Sequence, residues 1–133
     1  DEETGNVKNF AVDRMSEVRM TQKSFVLPDD FDAREYYKGY LGVYHDQTKV
    51  ETVRLKVWWK QRDYFRTLPL NETMRETEVY DEWSIFECEL APTWEVEMEL
   101  LQYNDWVEVL APEELRNNMI EHAGNILNLY KNS

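Results

Sequence analysis

The sequence predicts an α+β fold, and three patterns carry the prediction. Val53, Leu55 and Val57, then Phe86, Cys88 and Leu90, then Val107 and Val109 recur at the two-residue period of strands with one buried face. Segments at helical spacing lie between and after these runs, bounded by Pro69, Pro92 and Pro112. From Val50 onward the order is strand, helix, strand, strand, helix, strand, helix.

Taken in chain order, Asn9–Thr21 holds two weak alternations, Phe10/Val12 and Val18/Met20, which predict a short β-ribbon. Two strands alone are marginal in water, so the ribbon needs a sheet to join. Phe25–Asp32 is turn-rich, and Asp32 is placed to cap a short helix through Ala33–Tyr37. Gly39 and Gly42 then punctuate a loop reaching His45–Thr48. The first strong strand alternates Val53, Leu55, Val57 and Trp59 with Arg54, Lys56 and Trp58. Gln61–Leu68 fits two helical turns, with Tyr64, Phe65 and Leu68 on one side. Arg75–Tyr80 and Trp83–Leu90 form a hairpin about Asp81-Glu82, with Glu87 and Glu89 opposite its apolar face. Thr93 is the predicted cap of a helix through Tyr103. Glu95 and Glu97 lie in its first turn, and Trp94, Met98 and Leu101 form its stripe.

Trp106–Leu110 is the last strand, and Pro112 begins the longest helix, with Glu113 and Glu114 at its positive end. That helix is expected to pack through Met119, Ala123, Ile126, Leu127 and Tyr130, with Gly124 a weak point of roughly 1 kcal/mol against Ala. The first six elements have the order of a split βαβ, ferredoxin-like sheet with an added C-terminal helix. Right-handed crossovers place its strands fourth, first, third, second. Arg54 and Lys56 would then face Glu87 and Glu89 across the first and third strands.

The 133 residues suffice for one core, or for one domain and part of another. A formal net charge of −12 argues against the chain itself gripping a phosphate backbone. The acid is unevenly spread. Lys49–Arg66 holds six bases, Lys49, Arg54, Lys56, Lys60, Arg62 and Arg66, whereas Glu76–Glu121 contains Arg116 as its single base. One cysteine, Cys88, excludes an internal disulfide and a thiolate metal cluster, and fits a reduced, cytoplasmic setting. No apolar run approaches the ~20 residues needed to span a bilayer. The opening Asp1-Glu2-Glu3-Thr4-Gly5 suggests a piece of a longer polypeptide.

Several stretches together resemble a known family: Phe10-Ala11-Val12-Asp13-Arg14-Met15, Phe25…Phe31-Asp32…Tyr36, Val53-Arg54-Leu55, Tyr64-Phe65-Arg66-Thr67-Leu68-Pro69-Leu70, and Val107-Glu108-Val109-Leu110…Pro112…Leu115-Arg116. Their order and spacing resemble the bacterial WYL-domain transcriptional regulators. The resemblance implies three parts. Residues 1–24 look like the last strands of a WYL domain, a small Sm/SH3-like β-barrel, and 25–49 like a linker with a short helix. Residues 50–133 look like the ferredoxin-like WCX extension. It further implies an effector-sensing and dimerising region, with a nucleotide or oligonucleotide as effector. DNA would be bound only by an N-terminal winged helix-turn-helix that is not among these residues. Arg14 falls on the family's Asp-Arg motif, linked to sensing. Two departures stand out: Asn71-Glu72-Thr73-Met74 replaces a His-x-Ser-Gln-like run, and Asn104 replaces the glycine usual before the last strand.

Each candidate residue also has a plainer explanation. The basic strip Arg54, Lys56, Lys60, Arg62 and Arg66, with Arg14, would bind an anionic effector, or would pair with the acidic hairpin or simply solvate the surface. Trp58, Trp83 and Trp106 would form a dimer surface, or cover the sheet beneath the N-terminal segment. Glu87, Glu89, Glu95, Glu97 and Glu99 read as solvated faces rather than a catalytic pair. His45 and His122 have no second ligand at metal spacing, and no phosphate loop or nucleophile elbow occurs. The expected protein is therefore not an enzyme, holds no cofactor or metal, and is a homodimer away from membranes. The rival class is a ligand-free protein–protein interaction module.

Overall fold

The computed structural model describes residues 5, 8–42 and 45–133, and the chain divides into two compact units after Lys38. Within the first unit, Ala11 leads into a 3-10 turn, Val12–Arg14, and Asp32 caps helix α1, Ala33–Tyr36. The cap forms as the sequence predicts, with Arg34 N–H donating to Asp32 Oδ1 at 2.8 Å. The β-ribbon expected over Asn9–Thr21 does not form: no strand occurs among the described residues of this unit. Phe10, Val12, Val18 and Met20 are all exposed, so the weak alternation has no sheet to bury one face against. The barrel strands expected in residues 1–24 fall partly outside the described residues.

The second unit holds the predicted order: β1 (Glu51–Trp58), α2 (Trp59–Thr67), β2 (Arg75–Val79), β3 (Trp83–Leu90), α3 (Trp94–Leu101), β4 (Val107–Ala111) and α4 (Glu113–Lys131). The sheet runs β2-β3-β1-β4, all antiparallel, as the right-handed crossovers require. The protein is thus α+β, an open four-stranded sheet with helices on one face. Val53, Leu55 and Val57 of β1 are fully buried with Phe86, Cys88 and Leu90 of β3 and Val109 of β4. Phe65 from α2, Val96 and Leu100 from α3 and Leu115 from α4 complete that core. Phe65 is its aromatic centre, edge-on to Phe86 at 5.8 Å and to Tyr103 at 4.9 Å between centroids.

Four expectations are corrected here. Trp59 is not a strand residue but starts α2 and is exposed, because β1 ends where Trp59 N–H donates to Glu82 O at 2.8 Å. Trp94 is exposed too, and the buried stripe of α3 is Val96, Glu97 and Leu100. Thr93 occupies the cap position of α3 without a side-chain cap bond. Finally, Ile126, Leu127 and Tyr130 of α4 are exposed, since only the first half of this helix lies over the core.

At the start of this unit, Gly39 meets the need for a left-handed backbone. Its φ is +80°, a Cβ there would lie 2.6 Å from Val50 Cγ2, and its carbonyl accepts from Ala91 N–H at 2.7 Å. Ala111-Pro112 is a cis peptide bond, and Pro112 caps α4.

The α3 correction can be measured. Leu100→Ala should lower the unfolding free energy by about 2–5 kcal/mol in urea denaturation, and Trp94→Ala by less than about 1 kcal/mol. Equal losses would restore the stripe predicted from sequence.

Candidate functional site

The face of the sheet away from the helices gathers most of the singled-out residues. Arg54, Lys56 and Trp58 alternate onto it from β1, and Trp83, Glu87 and Glu89 from β3. The predicted cross-strand pairing is half right. Arg54 lies opposite Glu87, but Lys56 lies opposite Ile85 on one side and Glu108 on the other. Glu89 faces Thr52 instead and accepts from its hydroxyl at 2.8 Å.

The arginines of the basic strip are engaged within the chain. Arg54 contacts Glu78 at 2.5 Å and Glu87 at 3.4 Å. Arg62 donates to the carbonyl of Tyr80 at 2.7 Å, tying α2 to the hairpin turn. Arg66 forks onto Glu76 through Nε at 2.9 Å and Nη2 at 2.8 Å, and also reaches Asp63. Burial alone would raise the Glu76 carboxyl. Hydrogen bonds from Arg66 and Ser84, with the charges of Arg66 and Arg62, outweigh it and hold the group below its ordinary 4.5.

The lysines are engaged differently. Among the described residues Lys56 and Lys60 make no ion pair, and each lies over two indoles. Lys56 Nζ is 4.8 Å from the Trp58 ring centre and 4.6 Å from that of Trp83. Lys60 Nζ is 4.3 Å from Trp106 and 5.6 Å from Trp59. The backbone explains the grouping. Trp58 pairs directly with Trp83, and Trp106, in a 3-10 turn, immediately precedes Val107, the partner of Val57. Tyr80 extends the row, its ring 3.9 Å from Trp83. The result is one end of the sheet lined with aromatic rings and two ammonium groups. Arg14 belongs to the other compact unit, exposed at the end of its 3-10 turn.

Sequence reasoning missed Glu97. It was read as a solvated carboxylate, but it is 8% exposed. Asn118 donates to its Oε1 at 2.7 Å, and His122 Nε2 lies 3.0 Å from its Oε2. These contacts join α3 to α4. The signal was present: Glu97 stands one turn before Leu100 and Leu101, and Asn118 and His122 are four residues apart on one helix face. Cys88 is the small core residue expected, with burial pushing its thiol up to about 12, so it is protonated and unreactive at neutral pH. Among the described residues no group of histidine, cysteine and carboxylate side chains could hold a metal, and no helix is long and apolar enough to cross a membrane.

An open-faced sheet of this strand order, with an aromatic and basic end, defines a small α+β module. The family model of the WCX domain matches residues 49–127. The chain belongs to the WCX domain family, the extension that the resemblance above places after a WYL domain. No curated protein is similar enough to match the chain.

The Glu76 site has a pH signature. A carboxyl held below its unfolded value stabilises the fold above that value, and the contribution is lost as pH falls through the folded value. Stability should therefore drop in acid below about pH 4.5, and Glu76→Gln should flatten part of that drop. Denaturation curves across the acid range, wild type against variant, provide the check; identical slopes would mean that other carboxyls carry it.

Proposed function

We propose that this chain is the effector-sensing and dimerisation region of a WYL-type bacterial transcriptional regulator, non-catalytic, with DNA bound by a winged helix-turn-helix elsewhere in the full protein. The WCX match over residues 49–127 supports this reading. In it residues 1–24 are the end of a WYL barrel, and Arg14 contributes to sensing from there.

The observation that carries the sensing part is the pair of lysines, Lys56 and Lys60, that make no ion pair among the described residues and are placed among Trp58, Trp59, Trp83 and Trp106. Indole faces accept nucleobases at about 1–3 kcal/mol per stacked base, whatever the base. Ammonium groups beside them meet the phosphates. Arg54, Arg62 and Arg66 are held by their own partners and play a supporting part, keeping β1, α2 and the hairpin in place. A nucleotide or short single strand bound there would favour one dimer geometry over another. The winged helices would read that geometry as DNA affinity.

Two phosphate contacts on a chain of net charge −12 give modest, salt-sensitive binding. Titration of the chain with short single-stranded oligonucleotides and cyclic dinucleotides should show saturable binding. Its logarithm should fall with log salt at a slope of about −1.4 for a single strand. Lys56→Ala with Lys60→Ala should weaken binding roughly tenfold, and Trp58→Ala should do likewise. Binding to none of these ligands, or unchanged binding in the lysine variant, would sink the sensing claim. Reversing Arg54 or Arg62 is the poorer test, because it breaks contacts that hold the sheet.

A further inference from the structure

The second half of α4 presents an apolar face that none of the described residues of its own unit covers. The helix is about 28 Å long, and its first turns are anchored by Leu115, by Asn118 and His122 on Glu97, and by Arg116. Arg116 Nη1 donates to Glu108 at 2.8 Å and to the carbonyl of Val109 on the edge strand at 2.5 Å. Beyond His122 the apolar stripe continues with no core beneath it. Ile126 is 46% exposed, Leu127 52%, Leu129 72% and Tyr130 79%.

From this we infer that α4 pairs antiparallel with α4 of a second copy of the chain. The inference rests on the dimerisation part of the reading above and names the surface responsible. Three features favour a second copy as the occupant. Met119, Ala123, Ile126 and Tyr130 are spaced four, three and four residues apart, the seam period of paired helices. Antiparallel overlap about the middle of that seam sets Ala123 against Ile126 of the other copy, and brings Tyr130 of that copy beside Met119, which also packs on its own core. A small residue then meets a large one at each inner crossing. The antiparallel helix dipoles of that overlap favour it too.

Charge and area support the same choice. Two chains of net charge −12 repel, so self-association needs an uncharged strip. Glu121 projects from the far side of the helix, at the outer position of this heptad register. Ile120, Ile126, Leu127, Leu129 and Tyr130 expose on the order of 100 Å² each, so a pair of helices would bury roughly 1,000 Å². That reaches the lower bound for a specific interface. The seam also runs into a cleft of about 300 Å³ lined by Trp58, Val107, Met119, Ile120 and Ala123, which offers the neighbouring helix a wall.

Sedimentation equilibrium over a concentration series tests this on the intact chain. The wild type should be dimeric, and Ile126→Glu with Tyr130→Glu should be monomeric with unchanged circular dichroism, since both side chains are exposed. Ala123→Cys with Ile126→Cys should cross-link quantitatively between chains on oxidation, while buried Cys88 stays reduced. A dimer that survives the double glutamate variant and does not cross-link overturns the α4 seam but leaves dimerisation standing. A wild type that stays monomeric throughout overturns both. If the glutamate variant loses thermal stability while both species are monomeric, α4 docks on its own chain and the seam is again overturned.

Discussion

The register of β1 against β3 is the constraint on which the second unit depends. With Trp58 opposite Trp83 and Arg54 opposite Glu87, Val53, Leu55 and Val57 of β1 point to the helices, and Arg54, Lys56 and Trp58 point away. A slip of one residue would put Val53, Leu55 and Val57 in water and bring Arg54 and Lys56 beneath α2 and α3. Two contacts outside the ladder hold this register. Arg54 bridges to Glu78 and Glu87 on the two hairpin strands, and Arg62 ties α2 to the hairpin turn. Each such pair is modest on a half-exposed surface. Their value lies in discriminating between registers rather than in raw stability.

The same register creates the aromatic end of the sheet. Tryptophans at the end of β1, the start of β3 and just before β4 become neighbours because the three strands align there. The grouping is a product of topology, since Trp58, Trp83 and Trp106 are far apart in sequence. Lys56 and Lys60 differ from the arginines around them for a chemical reason. A guanidinium fork matches carboxylates, and the hairpin supplies them, whereas a compact ammonium finds the indole faces.

Much of the second unit was legible in the sequence, because its strands alternate cleanly and its helices are bounded by prolines. The strand order followed from chain order and handedness alone. Errors came where local pattern and tertiary burial disagree. Trp59 continued the strand alternation and Trp94 the helical stripe, yet both are exposed, and α3 turns Val96 inward instead. Glu97 looked solvated by type, yet two partners on α4 satisfy it in the interior. The ribbon over Asn9–Thr21 failed for the opposite reason: its alternation is real but has nothing to pack against among the described residues. At the candidate site the residue types were found correctly, but their grouping was not. Lys60 was seen only as part of a basic strip, and its place beside Trp106 needed the fold.

The gathering of tryptophans has an optical consequence. Four of the five indoles in the chain, Trp58, Trp59, Trp83 and Trp106, sit at one end of the sheet beside the two lysines, and Trp94 alone lies apart on α3. The intrinsic ultraviolet emission of this protein is therefore concentrated in one locality rather than averaged over the molecule. Anything that stacks on, displaces or dehydrates that end of the sheet changes the emission directly. The fold carries its own reporter, with no label attached.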